Sequence, residues 1–247
     1  MEDNILLFVV FGFFAQIVDG ALGMAYGVSS NTFLLSIGIA PAAASASVHM
    51  AEIFTTGVSG FSHWRLKNVN RHLILRLIIP GVLGCVLGAY ILTSVSGELL
   101  KPFISIYLII MGLVIVWKAF RQSKVHQKVT SWIAPLGLVG GFFDAIGGGG
   151  WGPVVTTTLI ARGNNPRYAI GSVNASEFFV TFAQSIMFIL TIGLTYWKII
   201  LGLLIGGIIA APLAAIVCKK LPVRTLMFIV GVLIIGLSIR TLILALA

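Results

Sequence analysis

Asp144-Ala-Ile-Gly-Gly-Gly-Gly-Trp-Gly-Pro153 is a glycine run set inside apolar sequence, and 125 residues upstream it has a counterpart, Asp19-Gly-Ala-Leu-Gly-Met-Ala-Tyr-Gly27. Glycine admits sharp turns and lets backbone approach a neighbour closely. Pro153 suits the first turn of a helix, where its missing N–H costs nothing. Each stretch therefore reads as a break between a helix that ends and one that begins. The same offset, without a gap, pairs Thr32 with Thr157, Gly38 with Gly163, Pro41 with Pro166, Ser47-Val48 with Ser172-Val173 and Glu52 with Glu177. From Asp19 to Thr56, 13 of 38 positions are identical, where chance supplies roughly a tenth. The chain is a duplication, and the natural division is residues 1–124 and 125–247 within one membrane domain.

The flanking segments decide the solvent. Only 9% of the residues are charged and 58% are hydrophobic, whereas a soluble domain carries about 25% charged residues. Leu77 to Gly97, Phe178 to Trp197 and Ile199 to Cys218 hold no Asp, Glu, Lys or Arg. Each matches the roughly 20 residues a helix needs to cross the hydrocarbon core. Continuous apolar runs indicate helices rather than the alternating segments of an outer-membrane barrel. Charge, Pro and Gly punctuation divide each copy into five segments, near 4–20, 26–39, 42–63, 72–94 and 98–120, and near 131–145, 153–162, 166–192, 197–218 and 222–246. The second of each five is too short to span comfortably. The expected fold is an all-α integral membrane protein of two inverted-topology repeats. Each repeat has a broken or re-entrant helix pair followed by three transmembrane helices. The acidic start Met1-Glu2-Asp3-Asn4 does not read as a removable signal. Cys85 and Cys218 read as core residues rather than a disulfide or metal pair.

Five passes is an odd number, so the second copy enters from the opposite face. With both termini outside, Arg65, Lys67, Arg71, Arg76, Lys118, Arg121, Lys124, Lys128, Arg162, Arg167, Lys219, Lys220 and Arg224 are cytoplasmic, and Lys101, Lys198 and Arg240 are outer. This 13 to 3 division is the bias expected of a bacterial inner, or plasma, membrane protein. It accounts for the net charge of +9 without nucleic acid.

The acids mark the interior. Asp19, Glu52, Asp144 and Glu177 are two repeat-related pairs in apolar surroundings. An ionised acid at mid-bilayer costs about 2.5–3.5 kcal/mol, so such residues face cavities, pathways or proton relays. They are candidates for proton coupling, or for holding the breaks in shape by accepting local N–H groups. Gly23, Tyr26 and Gly27 in the first break, and Gly148, Gly149, Gly150, Trp151 and Gly152 in the second, are candidate substrate-binding positions. Freed N–H groups at a helix start bind anions, and broken helices build midplane sites in inverted-repeat transporters. Ser47, His49, Ser172 and Asn174 complete the candidates. His49 and Asn174 occupy equivalent positions, both can donate hydrogen bonds, and His49 with Glu52 could relay a proton. Gln184, alone in an apolar helix, is expected to bond to another helix. No metal site is expected, because no second His or Cys lies at ligand spacing from His49. No phosphate-binding G-x-x-x-x-G-K-[ST] is present, no triad motif is recognisable, and no cofactor is implied.

The break from Asp144 to Pro153, the following stretch to Gly163 and Pro166, Ala169-Ile-Gly-Ser-Val-Asn174 and Ser47-Val-His-Met-Ala-Glu52 together resemble the sulfite exporter TauE/SafE family, within the toluene sulfonate uptake permease superfamily. The resemblance covers essentially the whole chain. It implies a cell-membrane transporter, not an enzyme, that moves sulfite, organosulfonates or related small anions, often outward. The expected partners are then a small inorganic or organic anion and the lipid bilayer, with a homo-oligomer open. The competing reading from the residues alone is a divalent-cation or sodium-coupled carrier that uses the intramembrane carboxylates.

Overall fold

The computed structural model describes residues 4–22, 24–120, 132–220 and 223–246. Gly23, Arg121, Lys124 and Lys128 lie outside these residues, as do the side chains of Arg167, Cys218, Lys219 and Lys220. The described chain is helical throughout: α1 (Ile5–Leu22), α2 (Tyr26–Ser36), α3 (Pro41–Arg65), α4 (Arg71–Ser94), α5 (Gly97–Phe120) and α6 (Ile133–Gly147), then a single π-helical turn (Trp151–Thr156) running into α7 (Thr157–Ala161), then α8 (Pro166–Ile192), α9 (Trp197–Lys220) and α10 (Val223–Leu246). The segments read from the sequence match these helices to within a few residues at each end. One difference is at the second break. The helix begins at Trp151, ahead of Pro153, because a π turn spaces the backbone so that the proline needs no N–H partner.

Local chemistry sets the boundaries. Pro41 opens α3 after the extended Ala40, and the Asn70 side chain caps α4 by accepting the N–H groups of His72 at 3.0 Å and Leu73 at 3.3 Å. Arg71–Ser94, Gly97–Phe120, Tyr168–Ile192 and Met227–Leu246 are long and apolar enough to cross a membrane. Their outward faces carry large apolar side chains such as Ile79, Phe103, Leu190 and Ile243. In a lipid solvent that exposure carries no penalty.

Two kinds of helix contact build the body. The first is a pair of glycine seams. On α4, Gly84 faces the backbone of Leu138, and Gly88 faces Phe142 and Ala145 on α6; Gly141 on α6 meets the Gly81 carbonyl in return. On α9, Gly202 lies against Phe8, and Gly206 against Val9 and Phe13 of α1. In both seams the helices run in the same direction, and small residues bring the backbones into direct contact. The second kind is antiparallel. Gly57 of α3 packs on Phe178 of α8, and Gly60 packs one turn further on, against Ala175. Gly112 and Val116 of α5 meet Gly231, while Ala119 receives the Arg224 guanidinium of α10 at 2.9 Å. Each antiparallel pair joins helices that correspond under the 125-residue offset. The two seams also exchange under that offset, α1 with α6 and α9 with α4.

Candidate functional site

The site begins at the two breaks. α6 ends on Gly148 (φ 67°), followed by Gly149 (φ 148°). These backbone conformations are open to glycine at little cost. Asn31 of α2 donates to the Gly147 carbonyl at 2.6 Å, Ser45 of α3 to the Ala145 carbonyl at 2.5 Å, and the Tyr107 hydroxyl to the Gly149 carbonyl at 3.3 Å. The freed carbonyls of the α6 end are thus met by side chains, as a buried helix end requires. The two breaks touch. A Cβ on Gly27 would stand 2.6 Å from the Gly149 Cα and 2.8 Å from the Gly148 carbonyl oxygen, and a Cβ on Gly149 would overlap the Gly27–Val28 backbone.

Asp144 closes the second break. Its Oδ1 accepts the N–H groups of Gly150 at 2.7 Å and Trp151 at 2.8 Å, and its Oδ2 accepts the Gln184 amide at 2.9 Å. Asp19 repeats the motif more loosely, accepting the Tyr26 N–H at 3.3 Å. The N–H groups expected to bind an external anion are therefore engaged by the protein's own carboxylates. Glu52 Oε1 stands beside the first break, 3.3 Å from where a Cβ on Gly27 would be.

His49 joins this network from α3. Nδ1 lies 2.8 Å from the Ser45 carbonyl oxygen, and Nε2 lies 3.2 Å from Asp144 Oδ2 and 3.8 Å from Glu52 Oε2. A carbonyl oxygen only accepts, so Nδ1 carries a proton. Nε2 then faces two carboxyl groups without forming a hydrogen bond to either. The His49–Asp144–Glu52 cluster is buried, with Phe188 stacked 6.2 Å from the imidazole, centroid to centroid. Among the described residues, no group of three His, Cys, Asp or Glu side chains is arranged to hold a metal ion.

A cavity of about 210 Å³ lies beside this cluster. Tyr26, Gly27, Gly149, Gly150, Gly152 and Asn174 line it, and so do all four acids, Asp19, Glu52, Asp144 and Glu177. Other candidates lie elsewhere. Gly148 is packed on Asn31. Trp151 is fully buried, with its indole N–H on the Val173 carbonyl at 3.2 Å and its ring against Gly81. Ser172 accepts the Asn70 N–H at 2.7 Å and ties α8 to the start of α4. Ser47 is buried away from the cavity, and Gly23 falls outside the described residues. His49 and Asn174, equivalent in sequence, part company: one is enclosed with Asp144, the other meets the cavity.

Apart from Glu52, the sequence reading did not single out the α3 side of the wall. Glu52, Thr56, Ser59 and His63 all line the cavity from α3. Their spacing of i, i+4, i+7 and i+11 places them on one face. Gln16 and Thr55 complete that side. Among the described residues, no Lys or Arg side chain lines it.

Residues 8–241 match the family model described as sulfite exporter TauE/SafE. The chain is 41% identical over 252 residues to the probable membrane transporter protein YtnM of Bacillus subtilis (strain 168), covering 97% of this chain and 83% of that relative. It is 27% identical over 216 residues to the probable membrane transporter protein ORF9 of a Sinorhizobium species, covering 83% of this chain and 80% of the relative. No solved structure matches. With an all-helical body clad in apolar side chains, two broken helices meeting at an acid-lined cavity, and this match along nearly its whole length, the chain belongs to the TauE/SafE family and is a membrane transporter of that type.

Proposed function

We propose that the protein is a secondary transporter of sulfite, an organosulfonate or a similarly small oxyanion, moved together with protons and most simply outward. The observation that carries this reading is the division of labour among the four acids. Asp19 and Asp144 accept backbone N–H groups of the breaks, while Glu52 and Glu177 face the same cavity from the antiparallel α3 and α8. A carboxylate only accepts hydrogen bonds, whereas a protonated glutamic acid donates one. An oxyanion entering beside them would be repelled by carboxylates and held by carboxylic acids, so its entry favours proton uptake. That thermodynamic link is the coupling.

The alternating exposure of such a site follows from inverted repeats. We take residues 1–124 and 125–247 as the two units, related by a pseudo-two-fold axis in the membrane plane. The antiparallel packing of α3 on α8 and of α5 on α10 supports this, because equivalent helices of an inverted pair run in opposite directions. The bias of basic residues supports an inner-membrane location with Arg65, Lys67 and Arg71 on the cytoplasmic side and both termini outside.

A second reading has an observation of its own. Four carboxylates and no Lys or Arg in the lining would suit a cation, as in a divalent-cation or sodium-coupled carrier. Reconstituted protein separates the two. Proteoliposomes that accumulate sulfite and ignore divalent cations and sodium support the oxyanion; uptake of a cation without sulfite overturns it.

A further inference from the structure

We propose that the oxyanion sits at the α3 C-terminal end of the cavity, between His63, Ser59 and Asn174, with His63 as its chief recognition residue; this rests on the oxyanion reading above. The argument is a census of donors. An oxyanion offers only acceptors, so it needs N–H and O–H groups that nothing else has taken. The Gly150 and Trp151 N–H groups go to Asp144, and the Tyr26 N–H goes to Asp19. The Tyr26 hydroxyl goes to the Leu203 carbonyl at 3.2 Å and the Thr56 hydroxyl to the Glu52 carbonyl at 2.7 Å. With no Lys or Arg in the lining, the side-chain donors left uncommitted among the described residues gather at one end. Gln16 is the exception, standing apart beside Gly207 and Tyr26.

The packing brings the three residues to one place. His63 lies against α8, its Nδ1 3.1 Å from where a Gly171 Cβ would be, and that nitrogen is covered and has no hydrogen-bond partner. Asn174 follows Gly171 by one turn of α8, and Ser59 precedes His63 by one turn of α3. Between them, Gly60 touches the Asn174–Ala175 backbone. The location also suits an anion electrostatically. At 1.5 Å per residue, Glu52 is about 16 Å along α3 from His63. Glu177, one turn beyond Asn174, is the first acid such an anion meets, so its proton is the one most directly linked to occupancy. The opposite end has no equivalent subsite. Phe188 stands where the offset would put a second His63, and it is buried against His49.

The test is sulfite flux into proteoliposomes for the wild type, His63→Leu, His63→Gln and Asn174→Ala, with each variant checked for a monodisperse elution profile in detergent. Leu removes the donor, and Gln keeps one of similar reach. His63→Leu is expected to raise KM about tenfold with the maximal rate near wild type, Asn174→Ala to raise it less, and His63→Gln to recover most of the loss. An unchanged KM in His63→Leu, or a His63→Gln no better than His63→Leu, overturns the subsite while leaving the oxyanion reading intact. A wild type that moves no sulfite overturns both.

Discussion

Asp144 is where a single residue carries the most structure. It is 2% exposed, accepts two backbone N–H groups and one side-chain amide, and faces the His49 imidazole. Removing one member of such a buried set leaves the others unsatisfied, which costs about 3–5 kcal/mol. Asp144→Asn is therefore expected to lower the thermal midpoint sharply and abolish flux. Asp19→Asn, at a position with one 3.3 Å bond, should cost about 1 kcal/mol or less. Thermal unfolding of the purified variants in detergent distinguishes the two; equal losses would mean that the halves share the load, against the geometry. Glycine at the crossing of the breaks is equally constrained. Gly149→Ala would drive a methyl into the Gly27–Val28 backbone at a φ of 148°, so this variant should fail to give a stable, transport-active protein by the same assay.

Among the elements, the glycine seams explain how the described helices close around a cavity without a hydrophobic force between them. They predict a contrast between two helical glycines. A Cβ on Gly141 meets the Gly81 carbonyl, while one on Gly236 of α10 has nothing within 4 Å. Gly141→Ala should destabilise by about 1–3 kcal/mol or more. Gly236→Ala should be neutral or stabilise by up to about 1 kcal/mol through helix propensity. Thermal midpoints measured side by side check both. Much of this level was legible in the sequence. Apolar runs with Pro and Gly punctuation gave the helices, and the offset repeat gave the two breaks. The cavity wall was less legible. The stripe Glu52, Thr56, Ser59 and His63 shares α3 with buried Ser45, Ser47 and His49, so polarity does not mark one face of that helix. The separate fates of His49 and Asn174 depend on what Asp144 and Phe188 do across the core, and spacing along one helix carries no such information. Trp151 and Ser172, equally suggestive in sequence, turn out to be packing and tethering residues because α4 and α8 close over them.

At the scale of the whole molecule, the account joins a duplicated chain, two touching breaks and four acids into one proton-linked anion path. The acids divide the outcomes. Glu52 and Glu177 should set the coupling, whereas Asp144 should set integrity. The most direct measurement is sulfite flux in proteoliposomes with and without an imposed pH gradient, for the wild type, Glu52→Gln and Glu177→Gln. A permanently neutral amide mimics the protonated acid but can no longer exchange a proton. The account predicts gradient-driven sulfite movement in the wild type, and in Glu177→Gln flux down the sulfite gradient that no longer responds to pH. Gradient-driven transport at full wild-type rate in both variants would contradict it.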